Sequence, residues 1–490
     1  MTLFNDLHLT DDPLTLILLV SILLLVASSG ITLVLWGLFR SLPRVSSLRW
    51  FYLAWACLLS ASSVWSFSRE AIASADQAGT NNFVRLAFLL VGALVIFFLG
   101  ARYGFSFTRE LRTGVLAFFV IFALWTLAST LWSVSPVGTF YKACEYGTML
   151  TLFSLAAFLV SISPGDARTR LLALKGIFDW HWFLMFIWIV SVYLGIIVFP
   201  NYAILRGYRD IIGVLGFSIQ GVLPGLSENA VGTLGAIVGI VAIVRVILRE
   251  GSLVFYGTIL ALSLLTMVLT QSRSPILAFM LAAIAVMVLS RRFGLLAMSG
   301  FLLAVPLLTQ LGPLIIAFLQ RGQNEQGLTQ LTGRVTFWEV SLEAIRKKPL
   351  AGYGADAGGR YILESALGQG RSTVHSTWVE VLLDTGAIGV ILLVAALVAT
   401  WFYLFRLRSY ALRNPISRQL WFESLGVLTV LFVRSVFAVT LVWAWYVLTL
   451  GVVLVFISVM RREVARARLA STALAQPLPA TRRRRPSIRS

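Results

Sequence analysis

Apolar runs long enough to cross a lipid bilayer recur along almost the whole chain, and that recurrence limits the possible folds more than any single motif. A helix needs roughly 20 mostly apolar residues to cross the hydrocarbon core. Thirteen spans can be drawn, at about 14–39, 50–67, 83–100, 114–132, 144–162, 177–199, 229–247, 253–270, 275–290, 295–317, 377–405, 419–434 and 440–460. Backbone groups in lipid must be satisfied within their own segment, so these spans are read as helices. Hydrophobic residues make up 58% of the chain and charged residues only 12%, about half the charged share of a soluble domain. The expectation is an all-α polytopic membrane protein, a bundle of about 13 helices (12–13). A membrane domain over 1–460 carries one large loop, 318–376, with short helices in it. Residues 461–490, rich in Ala, Pro and Arg, are expected to form a basic disordered tail.

Charge orients the bundle. The segments 40–49, 101–113, 163–176, 245–252, 291–292, 406–418 and 461–490 fall on one side, with 26 of the 40 Lys and Arg residues. With Asp179 and Glu423 included, that side holds 6 acids, against 14 bases and 15 acids on the other. Of the net charge of +19, one face therefore carries +20 and the other −1. Short loops rich in Lys and Arg stay cytoplasmic. The tail with Arg482–Arg485 is then cytoplasmic, and the acidic N-terminus (Asp6, Asp11, Asp12) and the 318–376 loop lie outside. The basic balance is topological, with some attraction to anionic lipid heads, and implies no nucleic-acid partner. The N-terminal run lacks a basic leader and is too long for a signal peptide core, so it is read as a span. Cys57 and Cys144 give neither a disulfide framework nor a metal site.

No soluble-enzyme signature is present. The glycines at Gly352–Gly359 do not sit between a strand and a helix as a dinucleotide fingerprint requires. There is no HExxH, no CxxC and no paired acid of the D-x-D type, so no metal and no cofactor is expected. If the chemistry involves a diphosphate, fixed arginines must do a metal's work. Their planar fork grips phosphate bidentately and stays charged. The outer face offers Arg206 and Arg209 in LRGYRD, Arg273 in QSRSPIL, Arg334, Arg371 and Arg434. The plain alternative for each is an arginine snorkelling to lipid phosphate. Arg434, between the last two spans, is read that way, whereas Arg273 is pinned in a Ser-Arg-Ser-Pro turn. His375, one of three histidines, lies at the end of a hydrophilic island that runs straight into an apolar helix. Beside Arg371, Glu380 and Asp384 it reads as part of a site, and otherwise as a helix-start histidine bonded to structural groups. Phe337, Trp338, Ser341, Ala344 and Ile345 recur at helical spacing before Arg346–Lys348, which reads as an interfacial amphipathic helix, a lid over the site.

These residues carry a resemblance. Arg273 to Leu277 is an R-x3-L string at the head of a span, and His375 to Gly386 is H-x10-G with Glu380, Asp384 and Gly389 nearby. Between them lie Gly333-Arg334, Trp338, Pro349 and Gly352-Tyr353-Gly354. Leu131-Trp132-Ser133 closes an earlier span, and Pro224 to Asn229 precedes another. Over about 120–450 this order of motifs resembles the O-antigen ligase and polysaccharide polymerase superfamily. The chain departs from that pattern by a thirteenth, N-terminal span and the basic tail.

The resemblance implies an inner-membrane glycosyltransferase of the GT-C kind. It would take a glycan from an undecaprenyl-diphosphate carrier on the periplasmic face and transfer it to a sugar hydroxyl, without nucleotide sugar, ATP or metal. The implied acceptor is a glycan in a polymerase or lipid A-core in a ligase; chain-length regulator or export proteins are further implied partners. The leaving diphosphate needs charge stabilisation, which suits Arg273 with Arg206 or Arg209 and Arg334. The acceptor hydroxyl needs orientation or a base, which suits His375. Glu380, Asp384, Gly386, Trp338 and Tyr353 stand as acceptor-side or supporting residues, and Tyr361 and Trp378 as further aromatics for stacking on sugar. A transporter, the reading from another class, predicts ionisable residues near mid-membrane; here most unusual polar residues sit at the outer lip. The topology is open to test in a background lacking native cysteines. A cysteine at Gln323 should react with an impermeant thiol reagent in intact spheroplasts. One at Ser487 should not, and its labelling would reverse the orientation.

Overall fold

The computed structural model describes residues 46–63, 80–206, 217–308, 312, 313, 315, 334–368 and 373–475. The expected span at 14–39, Arg209, Arg371, residues 318–333 and the tail from 476 on, with Arg482–Arg485, lie outside the described residues. So do His8, Asp6, Asp11, Asp12, Gln323 and Ser487.

The chain is mostly helical. The helices, in order, are α1 Ser46–Ala61, α2 Thr80–Arg102, α3 Gly114–Ala128, α4 Pro136–Ile162, α5 Ala167–Val198, α6 Glu228–Leu248, α7 Leu253–Leu269, α8 Arg273–Leu289 and α9 Phe293–Leu308. Two shorter helices, α10 Arg334–Lys347 and α11 Gly358–Leu367, follow, then α12 Thr377–Arg406, α13 Pro415–Ser435 and α14 Ala444–Ala475. Seven helices among the described residues are long and apolar enough to cross a membrane, and shorter apolar helices accompany them. The protein is therefore a polytopic membrane bundle.

Three helices outrun their apolar stretches, each for a visible reason. Helix α4 starts at Pro136, a residue suited to a first helical turn, and its early polar residues Thr139, Lys142 and Glu145 are buried in protein. Helix α5 starts at Ala167 because the Asp166 side chain caps it, accepting from the Thr169 amide at 2.8 Å. Helix α14 continues to Ala475, so the first part of the expected disordered tail is helical. Glu463 anchors it, paired with Arg170 at 2.7 Å and Arg466 at 2.6 Å. Burial alone would raise the Glu463 carboxyl, but the Arg170 and Arg466 guanidiniums outweigh it and hold it below the usual carboxylate range. The 200–228 loop also departs from all-α. Ile204–Arg206 pairs antiparallel with Phe217–Ile219, and Gly221–Val222 with Gly225–Leu226. A loop packed against helices must still satisfy its backbone, and these short ladders do so.

Helices α4, α6, α13 and α14 hold the centre, with α5 beside them. Along α6, Gly232, Gly235 and Gly239 face Thr270 and Pro275, Ser263 and Met267, and Phe279. Small residues let backbones approach where lipid supplies no hydrophobic drive between helices. Polar ties cross the same centre. His181 is fully buried, accepts from the Trp55 indole at 3.0 Å and meets Thr449 at 3.2 Å, which makes it a structural histidine. Arg245 reaches Glu423 and Asp179, each at 2.7 Å, and donates to the Tyr256 hydroxyl at 2.9 Å. Lys175 pairs with Asp179 at 2.8 Å, and Trp182 and Gln419 donate to Glu423. This quartet of two cations and two anions ties α5, α6 and α13. Arg245→Ala would take the guanidinium from fully buried Glu423 and leave it Trp182 and Gln419, and breaking a buried pair from one side costs about 3–5 kcal/mol. Lys175→Ala, at the cluster's more exposed edge, should cost about 1 kcal/mol or less. Unfolding midpoints in mixed micelles should separate the two variants; equal losses would mean that the quartet does not hold these helices.

Candidate active site

The site is built where residues 334–368 and 373–376 dock onto the bundle. Helix α12 begins after Ser376 and leaves helical geometry once, at Gly386 (φ 69, ψ −172). That break opens backbone groups to the loop: the amides of Ala387 and Ile388 donate to the carbonyls of Pro349 and Leu350 at 2.8 and 3.4 Å. Any Cβ at Gly386 would collide with the Leu350 carbonyl. The next residues dock further down. The Tyr353 amide donates to Leu383 at 3.0 Å, the Trp132 indole to the Ala351 carbonyl at 3.0 Å, and Thr139 to the Ala355 carbonyl at 2.9 Å. The Leu131-Trp132-Ser133 motif is therefore a seat for the loop. Phe337, Ile345, Tyr353, Leu363, Val374 and Leu383 form a small core of their own between α10, α11 and α12.

Both carboxylates singled out in the sequence act on this loop. Asp384, 6% exposed, accepts from the amides of Asp356 at 2.8 Å and Gly359 at 3.1 Å. Glu380, 4% exposed, accepts from the Val374 amide at 2.8 Å and so holds the turn that presents His375. Trp338 grips the same turn from α10, its indole donating to the Val374 carbonyl at 3.0 Å. His375 itself is half-buried in left-handed backbone (φ 57). Its ring stands edge-on to Phe337 at 5.8 Å, with Nδ1 3.5 Å from the Thr373 hydroxyl. Tyr353 is turned inward, its hydroxyl donating to the Ala344 carbonyl at 3.0 Å. Trp338 and Tyr353 thus support the turn and the loop, and α10 buries Phe337, Ser341, Ala344 and Ile345 as its spacing predicts.

The arginines gather on the other side of this turn. Arg273 is the first residue of α8, half-buried, in the turn Ser272-Arg273-Ser274. The Ser272 hydroxyl donates to the Asn229 side chain at 2.6 Å, at the start of α6. Ser274 receives Arg434 Nη1, and Arg434 Nη2 reaches the Asn229 carbonyl at 3.4 Å. Tyr446 bonds Arg434 as well, and Arg334, heading α10, lies within its electrostatic reach. Arg434 is 1% exposed. Among the described residues no carboxylate pairs with it, and its Nε has no partner. The expected lipid anchor is therefore wrong, because the guanidinium points into protein between the N-termini of α6 and α8. The structure brings Arg273, Arg334 and Arg434 to one end of the bundle. Arg206 lies on the strand paired at Phe217, whose carbonyl receives the Gln271 side chain, two residues before Arg273. Trp378 donates to Ser435 at 3.1 Å and Thr377 to the Ala438 carbonyl at 3.0 Å, so the His375 turn abuts the Arg434 end of α13.

A small pocket of about 20 Å³ lies on the carboxylate side, lined by Lys142, Tyr146, Asp356, Glu380, Asp384 and Trp443 among others. Sequence reading passed over Lys142 and Asp356 and took Arg434 for a lipid anchor. The signals were a Lys-x2-Glu pair inside an apolar span and a lone charge between Glu423 and Arg461. No group of three or more His, Cys, Asp and Glu among the described residues is arranged to hold a metal ion.

Residues 258–394 match a family model described as O-antigen ligase, from α7 into α12. That stretch belongs to the O-antigen ligase superfamily, and the chain that carries it is a multi-pass membrane protein. The match includes Arg273, Arg334, His375 and Gly386, whereas Arg206 and Arg434 lie outside it. No curated protein matches the chain.

Gly386→Ala tests how the loop is seated. Backbone of this kind is nearly exclusive to glycine, and forcing another residue into it costs about 1–3 kcal/mol. The variant should insert and keep its bundle while the 334–376 segment becomes more sensitive to limited proteolysis. Gly257→Ala, with nothing within 4 Å of the added carbon, should not. Matching digestion patterns would mean that the break at Gly386 does not seat the loop.

Proposed function

We propose that the protein is a membrane glycosyltransferase that moves a glycan from an undecaprenyl-diphosphate carrier to a hydroxyl of a second glycan, at the periplasmic face of the inner membrane. The observation that carries this reading is Arg434, a buried guanidinium with neutral oxygens for partners, bonded to the Arg273 turn between two helix N-termini. A buried charge without a counter-ion is costly unless an anion arrives, and helix N-termini favour anions. In the reaction the anomeric carbon–oxygen bond to diphosphate breaks and the acceptor hydroxyl forms the new glycosidic bond. The departing diphosphate gains charge as the bond lengthens, and Arg273, Arg434 and Arg334 would stabilise it, with Arg206 or Arg209 at the edge. His375, on a turn fixed by Glu380 and Trp338, would orient the acceptor hydroxyl and take its proton.

Twelve or thirteen spans of the GT-C kind, with 318–376 outside, complete this reading. Polymerisation of lipid-linked repeat units and ligation of a finished glycan onto lipid A-core use the same machinery; the description of the matched family model favours adding lipid A-core to the acceptors assayed.

The test is donor binding beside single-turnover transfer. Arg434→Lys and Arg273→Lys keep the charge and lose the bidentate fork. Each should weaken donor binding about 10- to 100-fold, the worth of one charge-assisted hydrogen bond. His375→Ala should bind donor nearly normally and lose about 10²–10⁴-fold in transfer, with His375→Gln in between if orientation dominates. Equal loss of binding and transfer in His375→Ala would move His375 to the donor side and overturn its assignment.

A further inference from the structure

Helix α12 ends at Arg406 and the chain turns back into α13 at Pro415. Between Asp384 and Glu423 the sequence has four arginines, Arg406, Arg408, Arg413 and Arg418, and no acid. At 1.5 Å per residue this corner lies roughly 40 Å along α12 from Thr377, far from the His375 turn. Arg461 of α14 joins it, its guanidinium 4.7 Å over the Tyr403 ring on the last turn of α12.

Other arginines at this end of the bundle are matched by acids. Arg170 and Arg466 share Glu463, and Arg462 meets Glu110. Among the described residues no carboxylate pairs with any of the five at the corner. Aromatic faces hold them instead: Arg406 lies over Phe402 at 5.7 Å, Arg408 over Trp421 at 5.8 Å and Arg413 over Tyr410 at 6.0 Å. A ring face orients a guanidinium and leaves its charge uncancelled. The Nε atoms of Arg408 and Arg418 are also buried with no hydrogen-bond partner. A buried donor without a partner is rare, and it points to a group that the chain itself does not supply.

The surface leading to this corner is apolar. Ile391, Val394, Val398, Phe402 and Phe405 follow one another along α12 at steps of three or four residues, and each is at least 40% exposed. They make one stripe that ends at Arg406. From this juxtaposition we infer that the corner binds the headgroup phosphate of an anionic phospholipid, whose acyl chains lie along the α12 stripe. The guanidinium forks take phosphate oxygens, and basic pockets between helix ends suit such headgroups. Inorganic phosphate offers the same oxygens without the chains, so the stripe makes the lipid the occupant. The site stands apart from the transferase reading and requires nothing of it.

The test uses the full chain in phosphatidylcholine nanodiscs with a trace of phosphatidylglycerol that carries a photoreactive group on an acyl chain. Crosslinks should map to the peptide holding Val398 and Phe402. A phosphatidylcholine tracer with the same photoreactive group should label that peptide about tenfold less. Inorganic phosphate in large excess should leave the labelling in place. Arg408→Gln combined with Arg418→Gln should lower phosphatidylglycerol labelling about 30-fold. Arg468→Gln, an exposed arginine further along α14, should change it by less than about twofold. Equal loss in the two variants would reduce the corner to the general attraction of a basic face and overturn the site. Displacement by phosphate alone would make it a site for free anions and overturn the lipid. The tracer comparison on the unaltered protein decides the matter even if the double variant folds poorly, and equal labelling by the two tracers would overturn the proposal.

Discussion

A guanidinium taken out of water must be answered by the protein, and this fold answers it in two opposite ways. Arg245 meets two carboxylates and a tyrosine and becomes part of a neutral knot between helices. Arg434, equally buried, meets a serine, a backbone carbonyl and a tyrosine. Neutral oxygens satisfy its donors in part and leave its charge in place. The difference matters because burial strengthens every electrostatic interaction nearby. A charge cancelled inside the protein contributes stability alone, whereas one held uncancelled beside Arg273 can act on whatever anion comes to it.

The same economy separates the two sides of the turn at His375. Residues 374–380 are held from one side by Glu380 and from the other by Trp338, and their next two side chains, Thr377 and Trp378, bond the α13–α14 corner beside Arg434. One side of the turn presents guanidiniums and helix N-termini, the other carboxyls. The turn lies between them, fixed by hydrogen bonds made within the protein.

Much of the architecture was legible in the sequence because hydropathy is a one-dimensional signal. Helices stand over the expected spans within the described residues, and the matched family stretch lies where the R-x3-L and H-x10-G strings were read. Helix ends were less legible. The polar first turns of α4 and the run from Arg461 to Ala475 look like loop or tail until their partners, Ala355 and Arg170, are brought near from distant positions. Arg434 was misread for a related reason. A lone arginine near a span's end has the same local sequence whether it reaches for lipid or for Asn229, more than two hundred residues away. The strands at 204–226 were hidden in a loop whose backbone needs are set by the helices beneath it.

The spacing of H-x10-G has a mechanical meaning here. From His375 to Gly386 the chain rises about 16 Å if helical throughout, at 1.5 Å per residue. At one end of that rod is the turn presenting the imidazole; at the other, the break where Pro349 and Leu350 dock. Glu380 and Asp384, four residues apart and so on one face, reach the two intermediate points, Val374 and the 356–359 backbone. The rod thus sets how far the His375 turn stands from the seat of the loop that helps enclose it. Lengthening the rod by one residue would rotate Gly386 by about 100° relative to the carboxylates, given 3.6 residues per turn, and no side chain could restore both contacts. On this argument the glycine is the far end of a ruler whose near end is the histidine, and the motif encodes distance and rotation as much as chemistry.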